Sequence, residues 1–130
     1  MRQQAEGYTL NLPCGKSLVG NVRADIDPQF RPDVVCDLRR PPFKPGSFDT
    51  VICDPPFSLY NRFAWAWTII RLARRKAMFS CPPVRMNFGK RWEKEWWIIE
   101  GWKGWTGARY VRMWQVFRSH LKPLDAINTN

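Results

Sequence analysis

The chain has a single histidine, His120, and four cysteines at 14, 36, 53 and 81, with no Cys-x-x-Cys spacing among them. That scarcity argues against a zinc site. Three of the four cysteines follow or end short apolar runs, which suits small buried hydrophobes in a reducing cytoplasm. Long hydrophobic runs are also missing. The longest, Phe63 to Ile70, contains Thr68 and is bounded by Arg62 and Arg71, so it is far too short to span a bilayer. The opening Met-Arg-Gln-Gln-Ala-Glu-Gly lacks the apolar core of a secretory signal. Acidic residues are few, 11 against 21 Lys and Arg, for a formal charge of +10. Such a balance points to a polyanionic partner, nucleic acid before an acidic membrane surface. No internal repeat or long linker interrupts the 130 residues, so one domain over 1–130 is expected. With 45% hydrophobic and 15% aromatic residues, that domain can form a core.

What is present reads as an α/β chain. Leu10 to Leu12, Val22 to Asp25, Val34 to Cys36 and Thr50 to Cys53 are short apolar runs ended by breakers, as buried strands are. Seven of the eleven prolines lie between 28 and 56, which predicts tight loops between these strands rather than helices. Ser58 or Asn61 can cap a helix running to about Lys76. Its apolar positions Phe63, Ala66, Trp67, Ile70 and Ala73 would face the sheet, with Arg71, Arg74 and Arg75 on the other side near the C-terminus. Ala77 to Ser80 is a fifth strand stopped by Pro82-Pro83, and Glu95 to Glu100 and Tyr110 to Phe117 form a hairpin around a glycine-containing loop.

The most informative stretch is Phe48-Asp-Thr-Val-Ile-Cys-Asp-Pro-Pro-Phe57. A buried strand delivers Asp54, Pro55, Pro56 and Phe57 to the point where it must stop. Proline removes the backbone donor and restrains the residue before it, which holds Asp54 in an extended or turn conformation at the sheet edge. A fixed carboxylate, a backbone carbonyl and a flat ring together form a receptor for a planar amino group. The segment resembles the Asp-Pro-Pro-aromatic motif of amino-group methyltransferases that use S-adenosylmethionine. Leu12-Pro-Cys-Gly-Lys-Ser17, Val22-Arg-Ala-Asp-Ile-Asp-Pro28, Val34-Val-Cys-Asp-Leu38, Pro42-Phe43 and Ser47-Phe48-Asp49 follow in family order, so the resemblance covers roughly residues 10 to 80.

The resemblance implies a Rossmann-like methyltransferase sheet in the order 3-2-1-4-5-7-6, mostly parallel, with an antiparallel C-terminal hairpin strand. It also implies a reduced N-terminal side. Only residues 13–21 separate Leu12 from Val22, where the family has a glycine-rich loop and a full helix and a parallel crossover ordinarily needs a dozen or more residues. Either the first strand is very short or a loop alone makes the connection. Open α/β sheets bind ligands beyond the carboxyl ends of their strands. There the resemblance places Cys14, Gly15, Lys16 and Ser17 under the methionine part of the cofactor, Gly15 permitting close backbone approach. Asp25, with Ile26 beside it, would accept the ribose hydroxyls. Asp37 would accept the adenine amino group next to the Leu38 amide. Asp27 is a solvated neighbour or a helper to the amino-acid end of the cofactor, and Asp49 caps or positions a turn. Gly15-Lys16-Ser17 also ends a phosphate-binding loop pattern, but the required upstream glycine falls on Leu10 and no helix can follow before Val22.

For catalysis, the two N–H groups of an exocyclic amine would bond to the Asp54 carboxylate and the Pro55 carbonyl, freeing the nitrogen lone pair, while Phe57 stacks on the base. Positioning and charge complementarity then carry most of the rate, and a base in a duplex must be flipped out. The single Pro-Cys pair, Pro13-Cys14, is in the wrong place for cytosine C5 chemistry. Residues 85–122 hold nine Lys and Arg against three acids, and six of eight tryptophans lie between 92 and 114. Two readings fit these rings: base stacking beside phosphate contacts, or Trp96, Trp97 and Trp114 filling a core or a subunit interface. Trp102 and Trp105, in the glycine loop, suit contact with a partner. The expectation is methyl transfer to an amino nitrogen of DNA adenine N6, with cytosine N4 or RNA as further targets. Specificity would come from loops, a second copy of the chain or a partner protein. The contrasting expectation is a basic nucleic-acid-binding module on the same scaffold with little turnover.

Overall fold

The computed structural model describes residues 7–55, 64–80, 87–103 and 108–120; the side chains of 64, 96–103 and 108–113 are not described. Seven strands form one mixed sheet: β1 (Thr9–Asn11), β2 (Val22–Asp25), β3 (Val34–Val35), β4 (Phe48–Cys53), β5 (Ala73–Ser80), β6 (Trp92–Lys103) and β7 (Ala108–Ser119). Their spatial order is β3-β2-β1-β4-β5-β7-β6. Strands β1 to β5 run parallel, and β7 enters antiparallel between β5 and β6. This is the order and strand polarity expected from the sequence. The chain builds outward from β1 to β3, then returns to the other side of β1 for β4. The carboxyl ends of β1 and β4 therefore flank a point where the winding direction reverses, and a crevice is expected there.

The connection between β1 and β2 is a loop alone, and β1 is only three residues long. Both economies named above are thus in force at once. The loop stays on the sheet through backbone bonds: Cys14 N–H donates to Ala24 O (2.9 Å) and Asn21 N–H to Thr9 O (2.9 Å). The Asn11 side chain also donates to Val19 O (3.0 Å) and Ser17 Oγ (3.2 Å). At Gly20, φ is +104°, and a Cβ would sit 3.3 Å from both Asn11 Cβ and Thr9 O, so this closest approach of loop to strand needs glycine.

Among the described residues one α-helix, α1 (Ala64–Ile70), covers one face of the sheet. Trp65, Ala66, Ile69 and Ile70 pack with Leu10, Val51, Ala77, Phe79 and Phe117 in the main core. A smaller cluster of Ile52, Met78, Trp114 and Val116, with Val19 against it, lies apart from that core.

The helix is shorter than the sequence pattern suggests. The expected helix to Lys76 stops at Ile70, and β5 begins at Ala73, not at Ala77. The cause is pairing with β4. Phe48 N–H donates to Leu72 O (3.1 Å), Ala73 lies opposite Phe48, and Lys76 lies opposite Thr50. Ala73 is therefore buried in the sheet rather than on a helix face, and Arg74 and Arg75 belong to a strand. Trp67 is also not a sheet-facing residue. It is 52% exposed, with its ring edge-to-face against Phe88, because the buried stripe of so short a helix is already made by Trp65, Ala66, Ile69 and Ile70. The expected caps Ser58 and Asn61, and Phe63, Cys81, Pro82, Pro83 and Trp105, lie outside the described residues.

Asp49 ties three strands. Its Oδ2 accepts from Tyr8 N–H (2.8 Å), and its Oδ1 accepts from Arg74 Nη2 (2.7 Å) and Nε (3.1 Å). Burial alone would raise its pKa, but the Tyr8 amide and the Arg74 guanidinium prevail and hold it below the usual carboxylate value. The Tyr8 ring stacks on Phe48 at 5.3 Å, and Phe43 meets Phe48 edge-on at 5.2 Å, which packs the entry to β4. No helix among the described residues is long and apolar enough to cross a membrane.

Candidate functional site

A cleft of about 750 Å³ opens at the carboxyl ends of the parallel strands. It falls within the range of small-molecule and cofactor sites. Its walls are the ends of four strands and the segments that leave them: Leu12 to Ser17 after β1, Asp25 at the end of β2 with Ile26, Cys36 to Arg39 after β3, and Asp54 after β4. Ile52, Val19 and Trp114 add apolar surface. All of Cys14, Gly15, Lys16, Ser17, Asp25, Ile26, Asp37 and Leu38, singled out from the sequence as cofactor contacts, line this one cleft, and Asp54 lines it with them. Pro55 is buried directly after β4 and is not part of the wall. Pro56 and Phe57 lie outside the described residues.

Each wall has a local cause. Gly15 has φ +51°, and a Cβ built there meets nothing within 4 Å, so the loop leaves open space above its backbone. Asp25 is 5% exposed and closes the loop from below. Its Oδ2 accepts from Gly15 N–H (2.8 Å) and its Oδ1 from Asp27 N–H (3.0 Å). A carboxylate has about four acceptor positions, so these two bonds leave capacity facing the cleft. Asp27 caps the short 3-10 turn Pro28–Phe30 by accepting from Gln29 N–H (2.9 Å), which places Phe30 in the cleft wall. Asp27 thus shapes a turn rather than standing as a solvated neighbour.

Asp37 is engaged differently. Arg39 donates to both of its oxygens, with Nη2 2.6 Å from Oδ2 and Nε 3.0 Å from Oδ1, and its own amide caps Oδ1 at 2.9 Å. The Arg39 side chain and then its amide hold the Asp37 carboxyl at a pKa of about 2. The pair stands at the rim, with the Arg39 side chain 62% exposed, so salt and water screen it. Cys14 and Cys36 both have thiols pushed up, chiefly by burial, which keeps them protonated and poor as nucleophiles. Among the described residues, no three His, Cys, Asp or Glu gather as a metal-holding group.

Several cleft residues carried no signal in the sequence. Asn11, Phe30, Arg39 and Trp114 all line the wall. Arg39 is one of 21 Lys and Arg residues, and Phe30 reaches the cleft because Asp27 caps the turn before it. Trp114 comes from the antiparallel β7, far along the chain, and is 2% exposed, its indole N–H without a partner among the described residues. Of the two readings offered for Trp114, burial in a core describes its position. The side chains of Trp96, Trp97 and Trp102 lie outside the description. A scan against protein families finds no match for the chain, and a search of curated proteins finds none either.

Proposed function

We propose that this chain is a minimal S-adenosylmethionine-dependent methyltransferase that modifies an exocyclic amino nitrogen of a nucleic-acid base, with adenine N6 of DNA first and cytosine N4 or an RNA base as further targets. The observation that carries this reading is one cleft at the strand carboxyl ends holding three acids, Asp25, Asp37 and Asp54, each from the end of a different strand, beside the Gly15 loop.

The residues present fit the cofactor. The open space over Gly15 would take an amino-acid moiety near backbone, Asp25 would accept ribose hydroxyls, and Asp37 with the Leu38 amide would meet a purine edge. The cofactor, when bound, supplies an electrophilic methyl group on a sulfonium. Asp54, which lines the cleft, would accept an N–H of the incoming amine, whereas the Pro55 carbonyl expected to accept the second belongs to a residue outside the cleft wall. The Asp54 bond would favour a nitrogen lone pair turned out of conjugation with the ring. Asp54, in the cleft wall, would hold the amine as it takes the methyl group and would pass the surplus amine proton to solvent. Thiol chemistry has no part in this scheme, in keeping with the protonated Cys14. The net charge of +10 supports a polyanionic substrate.

The second reading, a nucleic-acid-binding module with little turnover, draws on the Arg39 bridge that already engages Asp37. Calorimetric titration with S-adenosylmethionine and S-adenosylhomocysteine separates the two. Micromolar binding followed by transfer of labelled methyl to DNA or RNA supports the enzyme. No binding at millimolar ligand by folded protein, with nucleic acid still bound, supports the module.

A further inference from the structure

Arg23 sits at the middle of β2 and does not line the cleft, yet its guanidinium reaches both loops that do. Nε donates to Ser17 O (2.7 Å) and Nη2 to Gly15 O (3.2 Å) in the loop after β1. Nη2 also donates to Phe30 O (3.3 Å), and Nη1 to Arg31 O (3.1 Å), in the turn after β2. Gly15 and Ser17 form one part of the cleft wall and Phe30 another. We propose that Arg23 is a positioning residue, a four-carbonyl clamp that sets the separation of these two walls and so the width of the cleft.

The need for a clamp follows from the shortened chain. A helix after β1 would satisfy its own carbonyls, whereas a bare loop leaves them to find donors elsewhere. Arginine is suited to this, since it presents five N–H donors in a fixed plane and accepts none. A lysine at the same place has one nitrogen and cannot span both loops. The backbone at Arg31 shows that the turn is held in place. Arg31 has φ +51° and ψ +53°, a left-handed conformation that a residue with a Cβ keeps only when its surroundings impose it. Its carbonyl is one of the four that Arg23 binds. On the β1 side, the Asn11 side chain holds Val19 O and Ser17 Oγ, but it makes no bond to the second loop. Arg23 joins the two.

The test has one arm without ligand and one with it; only the second rests on the methyltransferase reading. In the first, hydrogen exchange is followed in wild type, Arg23→Ala and Arg23→Lys. Amides of residues 14–19 and 29–31 should exchange faster by about tenfold or more in both variants, with β4 and β5 amides unchanged. Millimolar ethylguanidinium should restore part of the protection in Arg23→Ala, which a loss of general stability would not allow. Should Arg23→Ala fail to fold, Arg23→Lys keeps the stem and charge and carries the measurement. Unchanged exchange in a folded variant overturns the clamp. In the second arm, S-adenosylhomocysteine is titrated by calorimetry. Weakening of about tenfold in the variants supports control of cleft width, and equal affinity with loosened loops overturns it. Loosened loops in the variants with no binding by wild type leave the clamp standing and remove the methyltransferase reading instead.

Discussion

Replacing Asp49 by asparagine tests whether the short β1 depends on one carboxylate. Asp49 accepts one backbone N–H from Tyr8 and two guanidinium N–H groups from Arg74, and the two side chains are 20% and 23% exposed. Burial of that extent limits solvent screening, so the pair is not an ordinary surface bridge. The asparagine side chain keeps one acceptor oxygen and turns an NH2 toward either the amide or the guanidinium, which loses charge assistance and leaves a donor facing a donor. Hydrogen bonds to charged groups contribute about 1.5–3 kcal/mol each, and unmet partners cost a similar amount, so Asp49→Asn should lose about 2 kcal/mol. That corresponds to roughly 5–10 °C in Tm for a chain of this size. The folded-state pKa of Asp49 lies below its unfolded value. Its contribution is therefore complete above the unfolded pKa of about 3.9 and is lost as pH falls through the folded pKa. Urea unfolding should show an equal deficit at about pH 7 and pH 5.5, shrinking toward about pH 2.5 as wild-type Asp49 protonates. A double-mutant cycle with Arg74→Met should give a coupling energy above about 0.5 kcal/mol. A deficit below about 0.5 kcal/mol at neutral pH, or one that does not shrink in acid, refutes the argument.

Other variants address the cleft. Asp54→Ala should abolish methyl transfer and leave the S-adenosylhomocysteine Kd within about twofold of wild type, since the contacts proposed for it are to the acceptor; retained turnover removes Asp54 from the mechanism. Asp25→Ala should weaken S-adenosylhomocysteine by about 1–3 kcal/mol in calorimetry, through lost charged hydrogen bonds and a loosened Gly15 loop. Gly20→Ala should lower stability by about 1–3 kcal/mol, because its φ is positive and a Cβ would crowd Asn11 and the Thr9 carbonyl. Gly15→Ala, facing open space, should cost only about 1 kcal/mol in thermal melts while still obstructing the loop surface proposed to meet the cofactor. Nucleic-acid affinity should fall steeply and linearly on a log–log plot against salt, and a flat response would dissociate the charge of +10 from phosphate binding.

The sheet was legible because its strands are short apolar runs with proline and glycine between them. Val22 to Asp25 was placed to the residue, and the ends of β1 and β3 within one residue. The boundary between α1 and β5 was not legible. Ala66, Ile70 and Ala73 recur at helical spacing, but Ala73, Ala77 and Phe79 also fit a strand whose one face is buried. Pairing with β4 decides between these, and that pairing depends on residues more than twenty positions away. The Asp49–Arg74 tie was hidden for the same reason, since Arg74 was assigned to the polar side of a helix. Within the cleft, residues that follow a strand were legible by position, because a parallel strand delivers its next residue to the same edge as its neighbours do. Trp114 and Arg23 were not. One arrives from an antiparallel strand of opposite direction, and the other acts through carbonyl oxygens, which no side-chain pattern reveals.

The connection after β1 shows how a cleft forms there without a helix. A crevice at the reversal of winding is made by strand ends, which need only the ladder: Leu10 against Val51 and Val22, and Asn11 against Ile52 and Arg23. What a helix would add is an ordered first turn with satisfied carbonyls. Here three polar side chains supply that order instead: Asp25 takes the Gly15 amide, Asn11 takes Val19 O, and Arg23 takes the carbonyls of Gly15 and Ser17. Two of the three are charged and sit beneath the loop rather than within it. The loop is therefore ordered by the sheet and not by its own secondary structure. Substitutions on β2 should consequently alter the cleft more than conservative substitutions at Lys16 or Leu18, which are exposed on the loop itself.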